Sequence, residues 1–204
     1  MTRRKGLLLL VHLIAAVSAI AATVVFTIHR DAGGQLIWDT AAFRYFTFDS
    51  NLFAALVSVL TLAYLPFLAP GAPLPRWLWV LRQAATASVA ITFVTVMSFL
   101  APIFGYHYML DGPDLWLHLI CPLLQIAAFV LLEGTAGVPL RHAWWGLLPA
   151  GIYGVVYGVM VVALKRWPDF YTFNAGGRWY LSLAALLVGA TLVCFLLWRG
   201  NRRR

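Results

Sequence analysis

Six stretches of this chain are apolar for long enough to cross a bilayer, and no other feature constrains its fold as strongly. They run approximately over Gly6–Ile28, Phe43–Leu68, Trp77–Phe104, Leu115–Leu132, Trp144–Leu164 and Trp179–Trp198, each within the length range of a spanning helix. Barrel strands would alternate in polarity, and these stretches do not, so helices are the way this backbone satisfies itself in lipid. Charged residues make up only 11% of the chain, against about 25% in soluble domains. The reading is an all-α polytopic membrane protein, a single six-helix domain over residues 1–204. The opening "MTRRKGLLLLVHLIAAVSAIAA" has the basic head and small residues of a signal peptide. Its apolar run continues through Val24, Val25 and Phe26, and it is taken as the first helix.

The net charge of +8 is distributed as a membrane protein distributes it, not as a nucleic-acid binder does. With six spans, Arg3, Arg4, Lys5, Arg76, Arg82, Arg141, Arg199, Arg202, Arg203 and Arg204 share one side, ten basic residues against five on the other (Arg30, Arg44, Lys165, Arg166, Arg178). The positive-inside rule puts both termini in the cytoplasm. On this count Arg82 belongs to a cytoplasmic anchor, and Glu133 is the one acidic residue on that side. His12 and His142 fall toward the same side, as interfacial histidines. The excess of arginine over lysine and the abundant alanine suit a bacterial plasma membrane.

Against that background "FRYFTFDSN" (residues 43–51) is unusually polar for the opening of a spanning helix. The second helix is expected to start after Asp39 or Thr40 as N-cap, and the fourth with Pro113 or Asp114 in its first turn. Thr47, Asn51, Ala54, Ser58 and Thr61 then share one face of the second helix, and Asp114, His118, Cys121 and Gln125 one face of the fourth. Ser88, Thr92 and Thr95 on the third, and Gly151, Gly154 and Gly158 on the fifth, read as helix contacts. His118 stands out, because an ionisable side chain at membrane depth faces the bundle interior or a water-filled cavity. Pro122, four residues on, has no N–H for the His118 carbonyl, so the helix is loosened there.

Thr47 and His118 lie at similar depths near the outer surface, where a hydroxyl and an imidazole can form a nucleophile–base pair. Asp114 can orient the ring, and Ser50, Asn51 and first-turn amides can hold an oxyanion. Cys121 is a rival nucleophile. Together with Gln125, Tyr153 and Tyr157, it is also a candidate for lining a substrate pocket. Asp49 points away from Thr47 and is expected to pair with Arg44.

"FRYFTF" at the second helix, the histidine early in the fourth with its apolar run closing on Glu133, and the "WPDFYTF" loop before the last helix together resemble one family. It is the androgen-induced and androgen-dependent transmembrane hydrolases, with their bacterial six-helix relatives. The resemblance implies a threonine hydrolase acting on fatty acid esters of hydroxy fatty acids, with Thr47 as nucleophile and His118 as base. It implies no cofactor, and its partners are a lipid ester substrate and the surrounding membrane lipids. Asp49, Ser50 and Asn51 make this segment more polar than in the eukaryotic members. Two other readings stand beside it. One is a metal-dependent hydrolase using His29, His107 and His118, and the other a non-enzymatic lipid-binding or transport protein whose polar stripes are a path or helix glue.

Overall fold

A computed structural model describes residues 3–30, 33–69, 72–133 and 137–202. It is all-α apart from one small hairpin. Six helices are long and apolar enough to span a membrane: α1 (Arg3–Thr27), α2 (Phe46–Phe67), α3 (Arg76–Phe104), α4 (Gly112–Leu132), α5 (Leu140–Ala163) and α6 (Trp179–Arg202). The chain is an integral membrane protein by this architecture. The hairpin pairs β1 (Ile28–Arg30) with β2 (Leu36–Trp38) and exposes Leu36 and Trp38, suited to an interfacial aromatic anchor. It marks one face of the bundle, the hairpin end. The opposite face is the basic end. There Lys5 Nζ donates to the Leu68 carbonyl at 3.1 Å and Arg4 Nε to the Leu132 carbonyl at 3.0 Å, capping the last turns of α2 and α4.

Helix α3 is the centre of the bundle and packs on α2, α4, α5 and α6. Every residue from Arg82 to Thr92 is buried, as befits a helix that is mostly small or apolar all round. The tightest approach is at Gly146 of α5, where an added Cβ would lie 2.8 Å from Cys194 Sγ and 3.2 Å from Ala87 Cβ. That glycine, rather than the Gly151, Gly154 and Gly158 stripe, lets α3, α5 and α6 close on one another. α5 and α6 turn Ile152, Val155, Val188 and Leu192 outward, toward lipid.

Three sequence expectations are corrected in the half nearer the basic end. Arg82 is not a loop anchor, Glu133 is not a surface acid and His12 is not interfacial: all three are sealed in the interior. Arg82 Nε and Nη2 donate to Glu133 Oε1 at 2.9 and 2.7 Å, while its Nη1 donates to Gln125 Oε1 at 2.6 Å. Gln125 Nε2 donates to Ser58 Oγ at 2.8 Å, and Ser58 lies 3.1 Å from His12 Nδ1. His12 Nε2 stands 3.3 Å from Glu133 Oε1, in contact though not aligned for a hydrogen bond. The ring of groups therefore closes on itself across α1, α2, α3 and α4. Gln125 is buried and its amide is spent in this ring, rather than on a substrate pocket. Asn201 of α6 joins alongside, donating to the Phe129 and Glu133 carbonyls and accepting from Trp79 Nε1 at 2.9 Å. Positive-inside counting assigns charges by position along the chain and is blind to whether a side chain turns inward.

Removing one partner of a buried ion pair strands the other charge and costs about 3–5 kcal/mol, whereas an apolar pair of similar volume is tolerated. Glu133→Gln is therefore expected to lower the thermal unfolding midpoint of the detergent-solubilised protein strongly. The double change Arg82→Met with Glu133→Leu should recover most of it. A loss no larger than that of the exposed Arg44→Gln change would contradict this account.

Candidate functional site at the hairpin end

The start of α2 differs from the expectation in a way that matters for Thr47. Asp39 does act as an N-cap, accepting from the Ala41 N–H at 2.7 Å, but it caps a short 3₁₀ turn, Thr40–Arg44. Tyr45 is extended (φ −103°, ψ 126°), and α2 begins afresh at Phe46. Thr47 thus lies in the first turn, where the Phe48 N–H donates to the Tyr45 carbonyl at 3.0 Å and the Phe46 N–H has no acceptor within the helix. The fourth helix begins as expected, with Pro113 and Asp114 in its first turn behind Asp111.

Within α4 the loosening at Pro122 takes a definite form, a π-helical turn over Trp116–Ile120. The Cys121 N–H reaches back five residues to the Trp116 carbonyl. That leaves Leu117 without a backbone donor. Its α-helical partner, Cys121, is diverted, and its π-helical partner would be Pro122, which has no N–H. Asn51 of α2 fills the gap, its Nδ2 donating to the Leu117 carbonyl at 3.0 Å and to the Thr47 carbonyl at 2.8 Å. Both amide protons are committed, so Asn51 ties α2 to α4 and has none left for an oxyanion, contrary to the role expected of it. Ser50 Oγ is likewise engaged, 3.2 Å from the Thr47 carbonyl and 2.9 Å from Thr92 Oγ1.

Thr47 and His118 are brought together. Thr47 Oγ1 lies 3.4 Å from His118 Nε2, and both residues are buried. The other ring nitrogen, Nδ1, lies 2.7 Å from the Met109 carbonyl. A carbonyl only accepts, so Nδ1 carries the proton and Nε2 presents its lone pair to the threonine hydroxyl. Met109 is set by Gly105, whose φ of +101° begins the single turn Tyr106–Met109. A Cβ at Gly105 would be strained by that φ and would meet the His107 ring at 3.0 Å. Asp114 Oδ1 is 3.9 Å from Nδ1, beyond hydrogen-bond reach, so the backbone carbonyl, not the carboxylate, orients the ring.

Tyr171 is the residue that sequence reasoning passed over, although "WPDFYTF" contains it. Its hydroxyl oxygen accepts from the Phe46 N–H at 3.1 Å and interacts with the Thr47 and Tyr153 side chains. Burial pushes its phenol up to about 12, so it keeps its proton at neutral pH. The loop that carries it is organised by Asp169, which accepts from the Phe173 and Asn174 N–H groups at 2.7 and 2.8 Å. Tyr157 also belongs to this loop packing: its hydroxyl donates to Asp169 Oδ1 and accepts from the Tyr171 N–H. Tyr153 donates to the Arg44 carbonyl at 2.7 Å.

The remaining candidates are dispersed. Cys121 is buried among Ala16, Ala19 and Ala55, its thiol 3.9 Å from the Ala15 carbonyl of α1. His107 is exposed and rests on Tyr108, ring centroids 3.9 Å apart, and the side chain of His29 lies outside the described residues. Among the described residues no three His, Cys, Asp or Glu side chains cluster closely enough to share a metal ion. Asp49 and Arg44 form no ion pair; those among the described residues join other partners.

Two outcomes are expected from this geometry. ¹⁵N spectra of histidine-labelled protein at neutral pH should show His118 as the Nδ1–H tautomer. Asn51→Ala should cost about 1–3 kcal/mol of stability by orphaning the Leu117 carbonyl, read as a lowered unfolding midpoint. Compared with known proteins, the chain matches no family model, no curated protein and no solved structure.

Proposed function

We propose that this protein is an intramembrane lipid ester hydrolase in which Thr47 is the nucleophile and His118 the general base. One observation carries the reading: the Met109 carbonyl holds the proton of His118 on Nδ1, so Nε2 faces Thr47 Oγ1 at 3.4 Å. That separation is longer than an ordinary hydrogen bond, as is common before substrate draws such a pair together.

In the proposed reaction the Thr47 hydroxyl proton passes to His118 Nε2 while Oγ1 attacks the ester carbonyl carbon. The tetrahedral oxyanion is met by the proton-bearing Tyr171 hydroxyl at the start of α2, where the helix dipole favours negative charge. His118 then gives its proton to the departing alkoxide as the carbon–oxygen bond breaks, leaving an acyl-threonine. A water, deprotonated by Nε2, attacks that ester, and the proton returns to Thr47 as the fatty acid leaves. Asp114 stabilises the transient imidazolium from 3.9 Å. Thr47 sits one turn or less inside α2, at the depth where glycerolipid and hydroxy-fatty-acid esters lie near the headgroups. The hairpin end faces outward in this reading, and the basic end the cytoplasm of a bacterial plasma membrane. Fatty acid esters of hydroxy fatty acids are one substrate class to try.

The test is covalent labelling with a lipophilic fluorophosphonate in detergent or nanodiscs. Labelling is expected in the unaltered protein and in Thr47→Ser, and should vanish in Thr47→Ala. His118→Gln should slow it by about 10²–10⁴-fold, the usual contribution of a positioned base. Labelling that persists in Thr47→Ala would remove the threonine from the chemistry. Its complete absence, together with no ester turnover, would leave the Thr47–His118 contact as a helix-to-helix link in a non-enzymatic lipid protein.

A further inference from the structure

A cavity of about 330 Å³ opens between α2 and α5 on the face of α2 adjacent to Thr47. Five aromatic rings line it (Phe43, Phe46, Phe53, Tyr153 and Trp167), and among its other lining residues are Ile152 and Val156, which are exposed on the lipid side of α5. The mouth therefore faces the bilayer rather than water. One lining residue, Asp49, carries a charge. Among the described residues nothing pairs with it: the three ion pairs lie elsewhere, and Arg44, the basic residue nearest in sequence, is exposed. An ionisable group at membrane depth calls for a partner, and here the protein supplies none. Aromatic rings around a carboxylate are the chemistry that recognises a quaternary ammonium group, through cation–π attraction and direct charge pairing.

We propose that this cavity binds the cationic head group of a choline-type lipid entering sideways from the leaflet at the hairpin end, with Asp49 and the aromatic rings as its cage. Asp49 stands one turn inside α2, and Trp167 lies just past the end of α5, which places the cage near headgroup level. The chains of such a lipid would leave past Ile152 and Val156. An anionic lipid is disfavoured by the same carboxylate. The proposal is independent of whether Thr47 reacts, since the cavity is lined by neither Thr47 nor His118.

The test uses the full chain in detergent, incubated with equimolar diether phosphatidylcholine and diether phosphatidylglycerol, which contain no ester to cleave. Lipid retention is read by native mass spectrometry. The unaltered protein is expected to keep the choline lipid by about tenfold over the glycerol lipid. Asp49→Asn should bring the ratio near one, and Asp49→Glu should restore most of it. Equal retention by the unaltered protein overturns the proposal, as does a preference that survives Asp49→Asn. Binding of tetramethylammonium without any lipid preference would also overturn it, replacing the lipid by a free cation. Because no ester is present, none of these results depends on hydrolysis.

Discussion

The carbonyl of Leu117 is the point on which the hairpin end of this protein depends. In lipid every backbone polar group must find a partner inside the protein, and at Leu117 Pro122 removes one backbone donor while the π-helical turn diverts the other. A side chain from another helix has to supply the missing proton, and Asn51 does. The same amide holds the Thr47 carbonyl, so one residue fixes the start of α2 against the widened turn of α4. Once those two turns are locked, Thr47 and His118 face each other with little freedom to separate. The contact between hydroxyl and imidazole follows from a backbone defect and its repair.

The two ends of the bundle handle polarity differently. Toward the basic end, Arg82, Glu133, Gln125, Ser58 and His12 are fully enclosed, and each group's bonding is directed at another member. Desolvating two charges is expensive, and replacing such a pair by apolar residues is often neutral or better. The network gains less in stability than it does in specificity, because only one register of α1 to α4 satisfies it. Toward the hairpin end polar groups are left with capacity to spare. His118 keeps a lone pair directed at Thr47, Tyr171 keeps its proton and Asp49 lacks a partner among the described residues. A polar group that the fold leaves incompletely used is where a ligand or a reaction can act.

Much of this was legible in the chain. Long apolar runs located the six spans, Pro113 and Asp114 marked the start of α4, and Pro122 announced a loosened helix beside His118. Other features were out of reach for identifiable reasons. At the break at Tyr45 the Phe46 N–H is received by the Tyr171 hydroxyl, from a loop 125 residues on, and no local pattern encodes that. Asn51 looked like a spare donor because helical spacing shows which face a residue shares, not whether its protons are taken. Arg82, His12 and Glu133 looked like surface charges because sequence order gives a residue's nearness to a helix end but not the direction of its side chain.

Ser50 links the two features of the hairpin end. It lines the cavity between α2 and α5, yet its hydroxyl also lies 3.2 Å from the Thr47 carbonyl. Anything that fills the cavity deeply enough to displace Ser50 must break a hydrogen bond to the residue proposed as nucleophile. The same hydroxyl is held from α3 by Thr92 Oγ1, 2.9 Å away. The wall of the Asp49 cavity and the backbone of Thr47 therefore share one side chain, which α3 backs through Thr92.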